Sequence, residues 1–383
     1  MNHTLKAILA CIFLLAPAAL FAGENIRWIS FPDSQLEVNG LPWFEENAPD
    51  LFRLPKRAQG VVRKAVWGLG VYCSGARIRF QSDCTALAIR YNNLSPSSMQ
   101  NMHVFGQSGV DLYVDGVYAG TAVNKATSEI EHIYFQNAQP KQREYVLYLP
   151  LYNGATVSAI GVNSEAVLEK AQDFAIPKPV VYYGTSITQG GCASRAGMSY
   201  QAILGRLMNI DFVNLGFSGN GKGEKEVAEL VAEIDASCFV MDFMANNKDR
   251  ESLEEVYKPF VRTIRAKHPL TPILLVTRIY ATREEAIHGG KENIEAKRDV
   301  IRKTAAKLIE EGDENIRFLE GYDLLGPAEG DGLVDGSHPN DLGFQLMAER
   351  LQPILSEILM KPESKRSMKR FFPSSKPGMS YFY

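Results

Sequence analysis

The chain is predicted to fold as an all-β sandwich followed by an α/β domain with a doubly wound, five-stranded parallel sheet. Three observations carry this. Up to about residue 163, short alternating runs rich in β-branched and aromatic residues are separated by turn signals such as Asp115-Gly116 and Asn153-Gly154, the pattern of hairpin-connected antiparallel strands. From residue 180 onward, apolar strand-length runs alternate with helix-length segments, as βαβ units with strands buried on both faces require. Between the two lies Ile176-Pro177-Lys178-Pro179, where two prolines of fixed φ make a stiff connector.

Taken in order, residues 1–22 are expected to be a secretory signal peptide. Lys6 precedes an apolar run over 7–21 that ends in the small residues Ala22 and Gly23. The run is short for a membrane span and Pro17 interrupts it, so no stable membrane insertion is expected after cleavage. The mature protein is expected in the periplasm or outside the cell. Residues 24–165 form the sandwich, with strands predicted over 76–80, 86–91, 111–114, 144–149 and 156–162. A long loop over 92–109, rich in Asn, Ser, Pro, Met and Gly, interrupts them, and long loops in compact domains tend to carry function. Residues 166–179 form a linker, with a short helix predicted over 165–172. The α/β domain spans 180–360, with strands over 180–183, 211–215, 238–243, 273–277 and 316–319. Its helices are predicted over 199–208, 223–234, 253–267, 284–311 and 341–360. Residues 361–383 form a basic tail carrying Lys365-Arg366 and Lys369-Arg370, to which no function is assigned.

Composition narrows the function classes. With 383 residues, 45% hydrophobic and 22% charged, the chain has the core for two domains. A net charge of -3 offers no attraction to a polyanion, so no nucleic-acid partner is expected. Four cysteines follow the expected signal, Cys73, Cys84, Cys192 and Cys238. In an oxidising compartment Cys73 and Cys84 either bridge a hairpin or remain buried thiols on adjacent strands. No Cys-x-x-Cys or Cys/His cluster of zinc spacing is present, so no metal site is expected.

The chemistry concentrates at strand ends. Val180-Val181-Tyr182-Tyr183 breaks into Gly184-Thr185-Ser186-Ile187-Thr188, and Asp335-Gly336-Ser337-His338-Pro339 closes the last loop before the terminal helix. In a doubly wound sheet the loops leaving the carboxyl ends of the strands converge at the switch point. Ser186 follows the first strand, Gly219 the second, Asn246 the third and His338 the fifth, so all four fall on one rim. A Ser hydroxyl becomes a nucleophile when an imidazole takes its proton, and a carboxylate fixes the imidazole's tautomer. Ser186, His338 and Asp335 supply these three groups. The backbone N–H groups of Ser186 and Gly219 and the amide of Asn246 are candidate oxyanion donors. The glycine-rich run over 214–221 lacks the order of a phosphate-binding loop, so no nucleotide and no other cofactor is expected.

These positions resemble the SGNH hydrolases, a branch of the GDSL esterase and lipase superfamily, over about residues 180–360. The four family residues match Ser186, Gly219, Asn246 and His338, and Asp335 matches the third triad member. The first block reads Gly184-Thr185-Ser186 where Gly-Asp-Ser is usual, and the third reads Ala245-Asn246-Asn247, which leaves Asn247 as an alternative to Asn246. In the first half Gly109-Val110-Asp111-Leu112-Tyr113 resembles the β-rich module named for G-x-D-L-Y that precedes such hydrolase domains. The resemblance implies a flavodoxin-like sheet and an exported serine esterase without cofactor. It further implies a small-molecule or glycan ester as substrate, O-acetylated carbohydrate first. The alternatives are a catalytically weak carbohydrate-binding surface protein, or a lipase or thioesterase of the same superfamily.

His103, in the long loop, and Arg278, after the fourth strand, are candidate substrate contacts, against roles as a loop histidine and a rim salt bridge. His268, at a helix end, is expected to be structural. His288, beside Gly289-Gly290, is a rival base and Cys192 a rival nucleophile. Trp28, Trp43 and Trp67 are expected in the sandwich core, with one exposed Trp stacking on sugar rings as the alternative.

Overall fold

A computed structural model describes residues 25–286 and 290–359. The expected signal peptide, the basic tail and His288 lie outside the described residues.

Ten strands build the first half: β1 (Ile26–Ser30), β2 (Glu37–Asn39), β3 (Arg77–Ser82), β4 (Leu87–Asn93), β5 (Gly109–Val114), β6 (Val117–Val123), β7 (Ile130–Phe135), β8 (Arg143–Tyr148), β9 (Ala155–Asn163) and β10 (Leu168–Glu169). One antiparallel sheet runs β1-β9-β4-β7 and the other β10-β3-β8-β5-β6, with β2 on β3. Alternate residues point inward, so Ile78 and Phe80 from β3, Ile89 and Tyr91 from β4, and Leu147 from β8 share one core. The turn between β5 and β6 places Asp115 and Gly116 at φ of 50° and 79°, the two left-handed positions of a tight hairpin.

The second half holds β11 (Val180–Gly184), β12 (Phe212–Gly216), β13 (Cys238–Asp242), β14 (Ile273–Val276) and β15 (Ile316–Leu319), all parallel in the order β12-β11-β13-β14-β15. Val181 and Tyr183 face the helices Lys225–Val231, Arg250–Lys267 and Gly290–Glu310. Val180 and Tyr182 face the helices Tyr200–Met208 and Asp341–Leu359. Burial on both faces explains why β11, β13 and β14 read as apolar runs, whereas the edge strand β15 exposes Arg317 and Phe318. The order reverses at β11, between β12 and β13, which makes the carboxyl end of β11 the switch point.

The structure corrects several expectations. Residues 165–172 are not helical, because Leu168 and Glu169 pair with Ser82 and Gln81 at the edge of β3; so short a helix is marginal alone, and the open strand edge offers ladder bonds instead. The strands β1, β2, β6 and β7 add to those the sequence predicts. In β6 the first three residues are exposed, so no inward–outward alternation marks it. Trp43 and Trp67 leave the sandwich and pack on the parallel-sheet core beside Leu54, Val62 and Val66, while Trp28 carries the Arg90 guanidinium 3.8 Å above its ring. The segment joining β2 to β3 thus covers one face of the α/β half. Arg53, fully buried, ties it there by donating to the carbonyls of Asn214 at 3.1 Å and Gly216 at 2.6 Å. Cys73 and Cys84 are separate buried thiols.

Candidate active site

At the carboxyl end of β11 the chain turns sharply into the helical turn Ser186–Gln189, which ends at Gly190 with φ 108°. Glycine is required just before it: a Cβ on Gly184 would meet Thr188 Oγ1 at 2.0 Å and the Asp242 carbonyl at 2.5 Å. The turn is secured by Thr188 Oγ1, which accepts the Thr185 N–H at 3.3 Å. Ser186 is thereby presented at the rim and not in the core.

His338 Nε2 lies 2.8 Å from Ser186 Oγ, and His338 Nδ1 lies 2.8 Å from Asp335 Oδ2. Gly336, at φ 76°, bends the intervening segment so that Asp335 Oδ1 accepts the backbone N–H groups of Ser337 at 3.0 Å and His338 at 2.9 Å. Burial pushes the Asp335 carboxyl up, but the His338 N–H, the imidazole and the Asn101 amide outweigh it and hold the group well below the usual carboxylate range. It stays ionised wherever the imidazole is neutral or charged. Asn101 donates to Asp335 Oδ2 at 2.9 Å. Neither it nor Tyr152, whose hydroxyl donates to the Ser186 carbonyl at 3.1 Å, was read from the sequence; only the length of the 92–109 loop pointed toward Asn101.

Two further loops face the serine turn. After β12, the Phe217 carbonyl accepts the N–H groups of Asn220 and Gly221 at 2.8 Å each, and Gly219 at the tip has φ 68° with open space where a Cβ would stand. After β13, Asn246 donates to the same Phe217 carbonyl at 3.2 Å, which places it against the Gly219 turn. Asn247 turns the other way. It is 6% exposed, and its amide donates to the Phe243 carbonyl at 3.1 Å.

The remaining candidates separate by position. Arg278 Nη2 donates to Ser337 Oγ at 2.8 Å, beneath the Asp335–His338 segment, while its Nε has no partner among the described residues. Nearby, burial pushes the Asp242 carboxyl up to about 8 against the opposing pull of Arg278 and Thr188. His103 is exposed, accepts the Phe105 N–H at 3.3 Å to cap the helix Val104–Ser108, and lines an open depression of about 570 Å³ with Met99, Asn101, Gln107, Lys125 and Val334. Cys192 is buried, and burial together with the charge of Asp335 pushes its thiol up to about 12, opposite to the shift a nucleophilic thiol needs. His268 Nε2 sits 2.9 Å from the Ala232 carbonyl, a structural contact. Among the described residues no group of three or more His, Cys, Asp or Glu side chains is arranged to hold a metal ion, and no helix is long and apolar enough to cross a membrane.

Comparison with known proteins agrees with this architecture. Residues 177–356 match the GDSL-like lipase/acylhydrolase family, and residues 26–168 match the G-x-D-L-Y family, the N-terminus of SGNH-hydrolase-type esterases. Among solved structures, a protein from Bacteroides ovatus ATCC 8483 assigned as a GDSL-like lipase is 32% identical, with a TM-score of 0.80 over 88% of this chain and 98% of its own. The salicylyl-acyltransferase SsfX3 of a tetracycline biosynthetic pathway shares 23% identity and a TM-score of 0.76 over 88% of this chain and 98% of its own. A family two carbohydrate esterase from Cellvibrio japonicus shares the fold at 14% identity and a TM-score of 0.59, over 88% of this chain and 98% of its own. A search of curated proteins found no match. With the hydrolase half matched and a relative at 32% identity aligned along nearly the full length of both chains, the chain belongs to the GDSL-like lipase/acylhydrolase family, as an SGNH-type esterase with a G-x-D-L-Y N-terminal domain.

Proposed function

We propose that the protein is an exported serine esterase that removes O-acyl groups, acetyl first, from carbohydrates. The observation that carries the reading is the continuous relay from Ser186 Oγ through His338 to Asp335, with both contacts at 2.8 Å. In the proposed cycle His338 Nε2 takes the Ser186 proton as Oγ attacks the ester carbonyl, while Asp335 keeps Nδ1 protonated and stabilises the imidazolium. The oxyanion meets the N–H groups of Ser186 and Gly219 and the Asn246 amide, which leaves Phe217 to reach it. His338 then protonates the departing alkoxide, and water, deprotonated by the same imidazole, hydrolyses the acyl-enzyme.

Carbohydrate as the alcohol is supported by fold neighbours named as family two carbohydrate esterases and as an acetyl xylan esterase, and by the mixed polar and apolar depression beside Asp335. His103, exposed on that depression, and Arg278, half-buried beside Ser337, are the proposed substrate contacts. Export rests on the apolar run and small residues over 1–22.

The test is a chromogenic aryl acetate together with a panel of acetylated glycans, read by acetate release. Wild type should turn over the aryl acetate and a subset of the glycans, and Ser186→Ala should lose both with an unchanged melting curve. Ser186→Ala activity within about tenfold of wild type would reject Ser186 as the nucleophile.

A further inference from the structure

Asn101 lies 234 positions before Asp335, in the β-rich half, yet its side-chain amide donates to Asp335 Oδ2 at 2.9 Å. The same oxygen faces His338 Nδ1 at 2.8 Å, and Oδ1 takes two backbone N–H groups of its own loop. An ionised carboxylate has about four lone-pair directions, so four donors fill it and leave the group one orientation, aimed at the imidazole. Three donors belong to the Asp335–His338 segment. The fourth comes only from the other half of the chain.

The loop bearing Asn101 is built to hold that position. Gln107, 4% exposed, accepts the N–H groups of Ser98 and Met99 at 3.1 and 2.9 Å and donates to the carbonyls of Met99 and Met102 at 3.0 and 2.6 Å. The helix Val104–Ser108 then presses on the hydrolase half, where a Cβ on Gly106 would meet the Ala193 carbonyl at 2.3 Å. Beyond it, Asp111 of the G-x-D-L-Y signature accepts the Gly197 N–H at 2.8 Å, and the Tyr113 hydroxyl bonds Arg195. A Cβ on Gly197 would overlap the Tyr113 ring at 2.4 Å. The signature therefore clamps the two halves together a few residues after the loop that reaches the acid–base pair.

We propose that Asn101 is a positioning residue for the acid–base pair, so that the G-x-D-L-Y domain completes the active site. This rests on the reading of Ser186, His338 and Asp335 as the reacting groups. Besides His338, the charged or titratable groups near Asp335 are Arg278, held on Ser337, and the Cys192 thiol; neither replaces the missing donor.

Two variants of the full chain test it. Asn101→Ala removes the donor, and kcat on the aryl acetate should fall about tenfold or more, the scale of a hydrogen bond to a charged group, with KM within about twofold. Asn101→Asp places a second negative charge beside the pair, so the acidic limb of kcat/KM should move to higher pH, a shift that a merely structural role would not produce. The titration of the His338 ring protons, followed by NMR in wild type and Asn101→Asp, reads the same coupling without turnover. That measurement separates failure of this proposal from failure of the esterase reading. A wild-type kcat in a folded Asn101→Ala variant, or an unmoved imidazole titration in Asn101→Asp, overturns the proposal.

Discussion

The adjacent residues Asn246 and Asn247 permit a sharp test, because both fit the third family block and the structure gives them opposite environments. The Asn246 amide donates to the Phe217 carbonyl at 3.2 Å, but that carbonyl already accepts Asn220 and Gly221 at 2.8 Å each. Removing the amide leaves nothing unpaired, so Asn246→Ala should change stability by no more than about 0.5 kcal/mol. Its proposed partner, the oxyanion, exists only in the transition state, so kcat should fall by about 100-fold to 1,000-fold with little change in KM. Asn247 is buried, and its amide is the side-chain donor on the Phe243 carbonyl. Asn247→Ala removes a buried side-chain hydrogen bond and its packing, at a cost of about 1–2 kcal/mol. At about 2–4 °C per kcal/mol for a domain of this size, the melting temperature should drop by several degrees while kcat stays near wild type. The assay is steady-state hydrolysis of the aryl acetate beside thermal melts of both variants. If Asn247→Ala loses turnover with an unchanged melt and Asn246→Ala loses neither, the oxyanion assignment is refuted.

Asp335→Asn should cost about 10³-fold to 10⁴-fold in kcat, close to His338→Ala, because an amide placed among four donors must turn its NH₂ toward the imidazole or toward backbone N–H groups; retention within about tenfold of wild type would show that the imidazole is oriented by something else. Burial raises the Asp242 carboxyl to about 8, so the folded protein keeps a proton that the unfolded chain releases above about pH 4. Wild type should therefore lose stability from about pH 4 to about pH 8 relative to Asp242→Asn, which never ionises. Melts of the two proteins that differ by a constant amount across that window would show that Asp242 ionises freely in the fold. His103→Ala should raise KM for an acetylated glycan more than for the aryl acetate, since His103 lies on the exposed depression beyond Asn101; equal effects on the two substrates would remove it from alcohol selection.

Elements whose signal is local are legible in the residues alone. Strands β11, β13 and β14 are buried on both faces, and all five strands alternate with helices, so their existence, parallel pairing and rim of loop ends follow from periodicity and topology alone. The same reasoning put Ser186, His338 and Asp335 on one rim, because Gly184 permits the tight strand-to-helix turn and Gly336 the bend between the other two. Non-local pairings emerge only when the chain is folded. Leu168 and Glu169 became a strand because β3 offered an open edge, and Trp43 chose the parallel-sheet core because the segment bearing it was drawn across by Arg53. Asn246 and Asn247, identical in type and adjacent in sequence, were separated by which carbonyl each amide meets. The Asn101–Asp335 contact was equally invisible, since a hydrogen bond across 234 positions leaves no periodicity in either segment. Local signals survive in the sequence because neighbouring residues share one backbone geometry; contacts between distant segments depend on where every intervening element packs, and only the folded chain specifies that.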